Sequence, residues 1–301
     1  MNSLNDALNM RNVLLQRIEK ATRAETAAEK EEWLTMVIAG GGPTGVEVSG
    51  MFAELRKQVI LEEYPELKEV KAKIYLVNSG DHLLKSMSEK SQKFVYKKLS
   101  STYVDVLLNK RVKDFNGREV LLNDGSSIKS RNLIWATGVK GRVFEGLPED
   151  WYEAGNRLWV NEYHKLQKAD HIYAIGDGSI MFSDKNFPEG HPRLAQVAIQ
   201  QGRNLAKNLI AVEKGNTPKA FQYKDKGAMA VIGKSNAVAD LPNKIHFQGF
   251  VALMIWGFIH LFSLIGRTDR IRTFFNWSVS YLAKKEDLRM IIRPKHNVDR
   301  E

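Results

Sequence analysis

Three glycines constrain this chain more than any other feature. Gly40, Gly42 and Gly45 stand in the spacing G-x-G-x-x-G, directly after the apolar run Leu34–Ala39. After them, Val46, Met51, Phe52, Leu55, Val59 and Ile60 recur at helical spacing. A strand that turns on glycine into a helix opens a dinucleotide-binding βαβ unit: two glycines let backbone approach a pyrophosphate, and the third lets helix pack on strand. The phosphate would rest on the helix N-terminus, whose first N–H groups lack partners within the helix. Lys73–Val77 supplies a second buried strand, so residues 34–78 read as parallel strands joined by a right-handed crossover. Asn78 ends that strand, where an acid commonly holds the ribose. An amide can bond a ribose hydroxyl but repels a 2′-phosphate less than a carboxylate does, so the pattern leans toward NADH over NADPH.

At 301 residues the chain has room for about two domains. A 43% hydrophobic content with 27% charged residues, 22 Gly and 8 Pro excludes collagen-like, low-complexity and wholly disordered classes. With no Cys, the chain can form neither a disulfide, a dithiol redox centre, a thiolate zinc site nor an iron–sulfur cluster. Redox chemistry would therefore need an organic cofactor. The missing Cys suits a cytosolic face, and Met1–Arg11 lacks the apolar core of a signal peptide. The excess of 45 Lys and Arg over 35 Asp and Glu, a net +10, favours an anionic partner such as a nucleotide phosphate, nucleic acid or membrane lipid.

Residues 3–31 read as one amphipathic helix on the surface or between domains, with Ser3 as cap and Asp6 three positions on. A second helix is expected at about 88–99, followed by the runs 103–108, 111–115 and 119–122. With Asn123-Asp-Gly-Ser as a hairpin turn, these read as small antiparallel elements beside the nucleotide domain. Leu133–Gly138 is a further strand that closes the first domain, and His171–Ile175 is another buried strand broken by Gly176-Asp177-Gly178. An irregular stretch to Pro192 precedes a helix to about Val212; short strands follow at 229–232 and 237–239. Thr137, Gly138, Gly176 and Asp177, each at a strand end, join the candidate cofactor-binding residues. Glu47, in the first turn of the glycine-led helix, is either a carboxylate favoured by the helix dipole or a group at a redox centre. His82, His164, His171, His191, His246 and His260 lack ligand spacing, so metal catalysis is unsupported and they take structural or surface roles. The basic residues are not interleaved with aromatics on a nucleic-acid-binding fold, which disfavours a nucleic-acid partner.

Phe250–Ile265 holds 16 residues with one His and no charge, short of the roughly 20 that a spanning helix needs. Thr268–Leu282 continues with Ile271, Phe274, Phe275, Val279 and Leu282 at helical spacing, Arg on other faces, and Trp256 and Trp277 suited to headgroup depth. Two helices lying in a membrane interface fit best. The basic tail, with Lys284, Lys285, Arg289, Arg293, Lys295 and Arg300, points to a lipid surface.

Five motifs then occur in one order: Ile38-Ala-Gly-Gly-Gly-Pro-Thr-Gly-Val-Glu47, Ile134-Trp-Ala-Thr-Gly-Val139, Tyr173-Ala-Ile-Gly-Asp177, Ala195-Gln-Val-Ala-Ile-Gln-Gln-Gly202 and Lys226-Gly-Ala-Met-Ala230. In this order they resemble the type II NADH:quinone dehydrogenases, flavoproteins that do not pump protons. The resemblance implies an α/β fold of two Rossmann-like dinucleotide-binding domains, the first one truncated, plus C-terminal amphipathic membrane helices. It implies FAD and NADH as cofactors, a quinone substrate in a respiratory chain, and membrane association on the cytoplasmic side of the inner (plasma) membrane. Gly40, Gly42 and Gly45 would cradle NADH; Asp177 would hold the FAD ribityl and phosphate region, with Ala195 and Gln196 beside the flavin ring. Gln196 and Gln200, four apart on one helix face, would line the quinone pocket with Lys226 and Met229, and Glu47 would handle protons.

Such enzymes begin with another strand and glycine turn for the ADP part of FAD. This chain opens at the helix before the NADH unit and is expected to lack that half-domain. A homodimer remains open. The expected division is a remnant helix at 1–31, an NADH-binding domain at 32–145, the C-terminal part of an FAD domain at 146–245 and membrane-anchoring helices at 246–301. The rival reading is a non-catalytic, membrane-associated NADH-binding remnant.

Overall fold

The apolar run and the helical run that flank the glycine turn form the strand and helix that their spacing requires. A computed structural model describes residues 4–138 and 140–282. The chain opens with α1 (Leu4–Arg23) and α2 (Ala27–Leu34) rather than one helix, because Thr26 accepts the Glu29 N–H and caps a new start. The expected cap Ser3 lies outside the described residues. Neither helix is a free linker: Leu14 joins the main core, while Ile18 and Ala21 pack with Leu34, Ile60, Tyr64 and Leu67.

Next come β1 (Met36–Ala39) and α3 (Pro43–Leu55), which runs through a π-helical stretch, Arg56–Ile60, into α4 (Leu61–Glu63). β2 (Ile74–Val77), α5 (Glu89–Ser100) and β3 (Val104–Leu107) follow. β4 (Val112–Phe115), β5 (Glu119–Leu122) and β6 (Ser127–Lys129) form an antiparallel sheet with the turn at Asn123–Ser126, and β7 (Asn132–Trp135) returns to the parallel sheet. That sheet has the order β3-β2-β1-β7, all parallel. The segment expected as a flanking antiparallel run at 103–108 is thus an edge strand of the main sheet. Val104 is buried there in one cluster with Val95 and Leu99 of α5, which fixes its register. The antiparallel sheet covers the other side with Val112, Val120 and Leu122 against Val37, Ala39 and Val77.

Residues 138–226 form a second unit. It contains β8 (Tyr152–Glu153), β9 (Arg157–Trp159), β10 (Ser179–Ile180) and α6 (Ala195–Glu213), around a core of Leu158, Val160, Leu166, Met181, Val197, Phe221 and Tyr223. His171–Ile175, expected as a buried strand, makes one isolated bridge, Lys165 with Tyr173. Ile172, Tyr173 and Ile175 are each about 40% exposed, because no described layer covers them.

From Gly227 the chain rejoins the first unit. β11 (Ala228–Ile232), β12 (Asn236–Leu241) and β13 (Ile245–Gln248) make an antiparallel meander, then α7 (Gly249–Ser263) and α8 (Arg267–Leu282) follow. β13 went unread in the sequence. By contact, the chain changes unit after Thr137 and after Lys226. The reason is a close approach: a β-carbon on Gly50 of α3 would lie 2.5 Å from the Gly233 backbone nitrogen, so only glycine lets α3 lie on the end of β11. No helix among the described residues is long and apolar enough to cross a membrane.

Candidate functional site

In the first unit, β1 has β2 on one side and β7 on the other, so the strand order reverses at β1. The crevice beyond the carboxyl ends of strands at such a point is where open α/β sheets take ligands. The glycine turn occupies it. Gly40 has φ +118°, and a β-carbon there would meet Thr137 Cγ2 at 2.4 Å and the Ala136 carbonyl oxygen at 2.9 Å. Thr137 therefore walls the turn from the end of β7. A β-carbon on Gly45 would lie 1.8 Å from the Gly40 carbonyl oxygen, so this glycine seats α3 on β1. Gly42 is different: nothing lies within 4 Å of the space its β-carbon would fill.

Gly42 is also the N-cap of α3, Pro43 opens the helix, and no side chain caps it. An open space facing the uncapped end of a 13-residue helix fits a pyrophosphate. Asn78 stands beside the turn, with its oxygen accepting the Gly41 N–H at 3.1 Å and its nitrogen donating to the Gly80 and His82 carbonyls at 3.2 and 2.8 Å. The residue expected at the ribose therefore also braces the turn.

Glu47 lies one turn into α3 and is partly buried. Its Oε1 accepts the Val231 N–H at 3.3 Å. Burial pushes the carboxyl above the ordinary carboxylate range, against the Val231 N–H and His260, which both pull it down. A half-buried acid biased toward its protonated form suits proton exchange. Met229, on β11, packs in the apolar cluster formed by Ala237, Ala239, Ala252 and Leu253.

In the second unit, Gly176-Asp177-Gly178 forms a 3-10 turn. Gly176 has φ +69°, and the space beside Gly178 is open. Asp177 is exposed. Buried Gln201 fixes the turn, its Oε1 accepting the Gly176 N–H at 2.6 Å. Sequence reasoning missed Gln201, because nothing local separates it from Gln200. Two glycines and an exposed carboxylate fit the hydroxyls of a ribityl chain, and α6 starts at Ala195 with no side-chain cap.

Gln196 and Gln200 share a face of α6, as their spacing requires, and both hold backbone. Gln200 accepts from the Lys224 N–H and donates to the Lys224 carbonyl, while Gln196 Oε1 accepts the Lys226 N–H at 3.2 Å. These amides therefore position Lys226, whose side chain is exposed. Gly138 has φ +68°, as glycine permits after a strand. No group of His, Asp and Glu among the described residues could hold a metal ion.

The model of the pyridine nucleotide-disulphide oxidoreductase family matches residues 6–202 of this chain. The chain belongs to that family. A second model, the NDH2 C-terminal domain, matches residues 226–286. The type II NADH:quinone oxidoreductase Ndh of Mycobacterium tuberculosis is 30% identical over 296 residues, covering 95% of this chain and 62% of its own length. The internal alternative NAD(P)H-ubiquinone oxidoreductase A1 of Arabidopsis thaliana is 27% identical over 270 residues, covering 84% of this chain and 52% of its own length. The chain thus spans between half and two thirds of these relatives. The solved structure of NDH2 from Plasmodium falciparum in complex with NADH matches with a TM-score of 0.85 at 20% identity, over 97% of this chain and 74% of that one, a likeness of fold.

Proposed function

We propose that this oxidoreductase chain takes part in membrane-associated electron transfer from NADH through FAD to a quinone, without proton pumping. The observation that carries the reading is the open, uncapped N-terminus of α3 at the point where the strand order reverses. There the Gly40, Gly42 and Gly45 backbone would bind the NADH pyrophosphate, and Thr137 would shape the wall of the crevice. Gly176, Asp177 and the start of α6 at Ala195 and Gln196 would hold the ribityl and ring end of FAD. Flavin, when bound, supplies two-electron chemistry between pyridine nucleotide and quinone. Gln196 and Gln200 would orient the segment carrying Lys226, whose ammonium can donate to a quinone oxygen. Glu47 would supply a proton.

A lipid surface suits α7 and α8. Phe258, Phe262, Phe274, Phe275 and Val279 are each more than half exposed, and Trp256 stacks on Trp277 at 5.6 Å. Exposed aromatics at this density favour an interface with lipid over one with water. The expected basic tail at 284–300 lies outside the described residues.

The test is anaerobic spectroscopy on the purified protein. NADH should bleach a flavin absorbance band, and a water-soluble quinone should restore it. A flavin-loaded preparation that NADH leaves unbleached overturns the reading.

A further inference from the structure

After α6 the chain turns back along it, and residues 216–227 lie in no helix or strand. Their backbone still has partners, and side chains supply most of them. Lys219 gives its N–H to Asn208 Oδ1 at 2.9 Å, and its carbonyl accepts from Asn204 and Asn208 at 3.2 and 2.9 Å. The Phe221 N–H donates to the Glu162 carbonyl at 2.8 Å, and the Tyr223 N–H to Asp184 Oδ2 at 2.9 Å. Gln200 and Gln196 then take Lys224 and Lys226. Gln196, Gln200, Asn204 and Asn208 are four apart, so they form one ridge of α6 and meet the returning chain in reverse order. A side-chain amide carries the donor and the acceptor of a peptide group, so the ridge does the work of a neighbouring strand.

Asp184 pins the middle of this segment. It is 4% exposed, and its Oδ1 accepts the Asn186 N–H at 3.0 Å. Its Oδ2, besides taking the Tyr223 N–H, stands 3.0 Å from Nε2 of buried His191. Phe187, Phe221 and Tyr223 box the His191 ring, with centroids at 5.4, 5.3 and 5.8 Å. Burial alone would push the Asp184 carboxyl up, but its donors outweigh that and hold it below the usual range. Hydrogen bonds to an ionised acceptor are roughly twice as strong as neutral ones, so Tyr223 is the firmest point of the segment.

Tyr223, Lys224 and Lys226 are thus each bonded through the backbone to a side chain of Asp184 or α6. Burial of the Phe221 and Tyr223 rings already holds the segment to the core. The added bonds fix the backbone beneath an exposed lysine. A lysine stem rotates about several bonds, so a fixed root narrows the region its ammonium can reach. We propose that Asp184 is a positioning residue for Lys226, acting through Tyr223 and the amide ridge of α6. It sets the root from which the ammonium reaches a quinone oxygen, and that use rests on the function proposed above.

The test uses the full chain, with backbone amide exchange read by NMR and turnover read with a short-chain quinone. In D184A, exchange at the Lys224 and Lys226 N–H groups should quicken about tenfold or more. The quinone KM should rise about tenfold while the rate at which NADH reduces the flavin stays the same. M181A opens a cavity in the same core; it should lower the melting temperature yet leave Lys226 exchange and the quinone KM as they were. Unchanged Lys226 exchange in D184A overturns the proposal, and so does quickened exchange with an unchanged quinone KM. If D184A does not fold, the unsubstituted protein decides: slow exchange at Lys226 supports the proposal, and exchange as fast as an open loop overturns it. If NADH fails to bleach the flavin, the functional reading falls, while the exchange rates still decide whether Asp184 holds the root of Lys226.

Discussion

Gly45 and Gly40 meet so closely that a β-carbon on Gly45 would lie 1.8 Å from the Gly40 carbonyl oxygen. The neighbour is backbone and cannot rotate away. Gly45→Ala must therefore lift α3 from β1, and should cost about 2 kcal/mol or more along with most of the NADH affinity. Thermal unfolding and NADH titration of the variant check both.

Gly42→Ala separates stability from binding. Its φ is an ordinary −76° and the space beside it is empty, so the fold should tolerate the methyl group. That space is where the pyrophosphate would rest. The melting temperature should hold within about a degree, while NADH affinity falls roughly tenfold, about 1.4 kcal/mol. Loss of stability without loss of affinity would place the phosphate elsewhere.

Asp240 ties the meander to α5. Its carboxylate accepts from the Ser88 N–H, Ser88 Oγ, Ser91 Oγ and His246 Nδ1, at 2.5, 3.0, 2.6 and 2.9 Å. Burial alone would push this carboxyl up, but these donors outweigh it and hold it below the usual range. A carboxyl depressed in the folded state contributes stability above its unfolded value of about 4, lost as pH falls through its folded value. Asp240→Ala should cost roughly 3 kcal/mol, and Asp240→Asn should flatten the acid limb below pH about 4. Denaturant midpoints across pH 2–5 read both.

How much of this was legible in sequence depends on the reach of each contact. The turn at Gly40–Gly45, the helix capped by Ser88 and the hairpin at Asn123–Ser126 are set by neighbours in the chain, and their signals were local. Pairing of β3 with β2 and the seating of β11 under Gly50 depend on residues far apart, so the antiparallel reading of 103–108 failed and that seating went unread. His171–Ile175 shows the opposite limit: its apolar composition predicts burial, but burial needs a covering layer that composition cannot supply. Asn78 was found as a site residue, but the Gly41 N–H that its oxygen accepts is visible only in three dimensions.

His164 predicts a separate pH dependence. It is fully buried, its Nε2 is 3.1 Å from Asn204 Oδ1, and burial lowers its pKa to about 4 from 6.5. A histidine depressed in the folded state must gain a proton on unfolding, so its contribution is present above pH 6.5 and is lost as pH falls toward 4. Stability should drop by on the order of 3 kcal/mol across that window. His164→Gln, which keeps an amide donor for Asn204, should remove the slope between pH 4 and 6.5 and leave the steeper loss below it. Urea unfolding at half-unit pH steps resolves the two limbs.

The aromatic surface of α7 and α8 gives the last prediction. Phe258 and Phe262 pack on each other at 4.4 Å and are 62% and 54% exposed, so they hold little of the fold together. Their apolar area is available to a bilayer at about 25 cal/mol per Å². Replacing both with Ser should leave the melting temperature nearly unchanged and reduce binding to anionic phospholipid vesicles by tenfold or more, since a buried Phe contributes about 2 kcal/mol. Co-sedimentation should show the loss at both low and high salt, because the removed term is apolar. A loss seen only at high salt would mean that charge holds the protein to the bilayer and that these rings merely add to it.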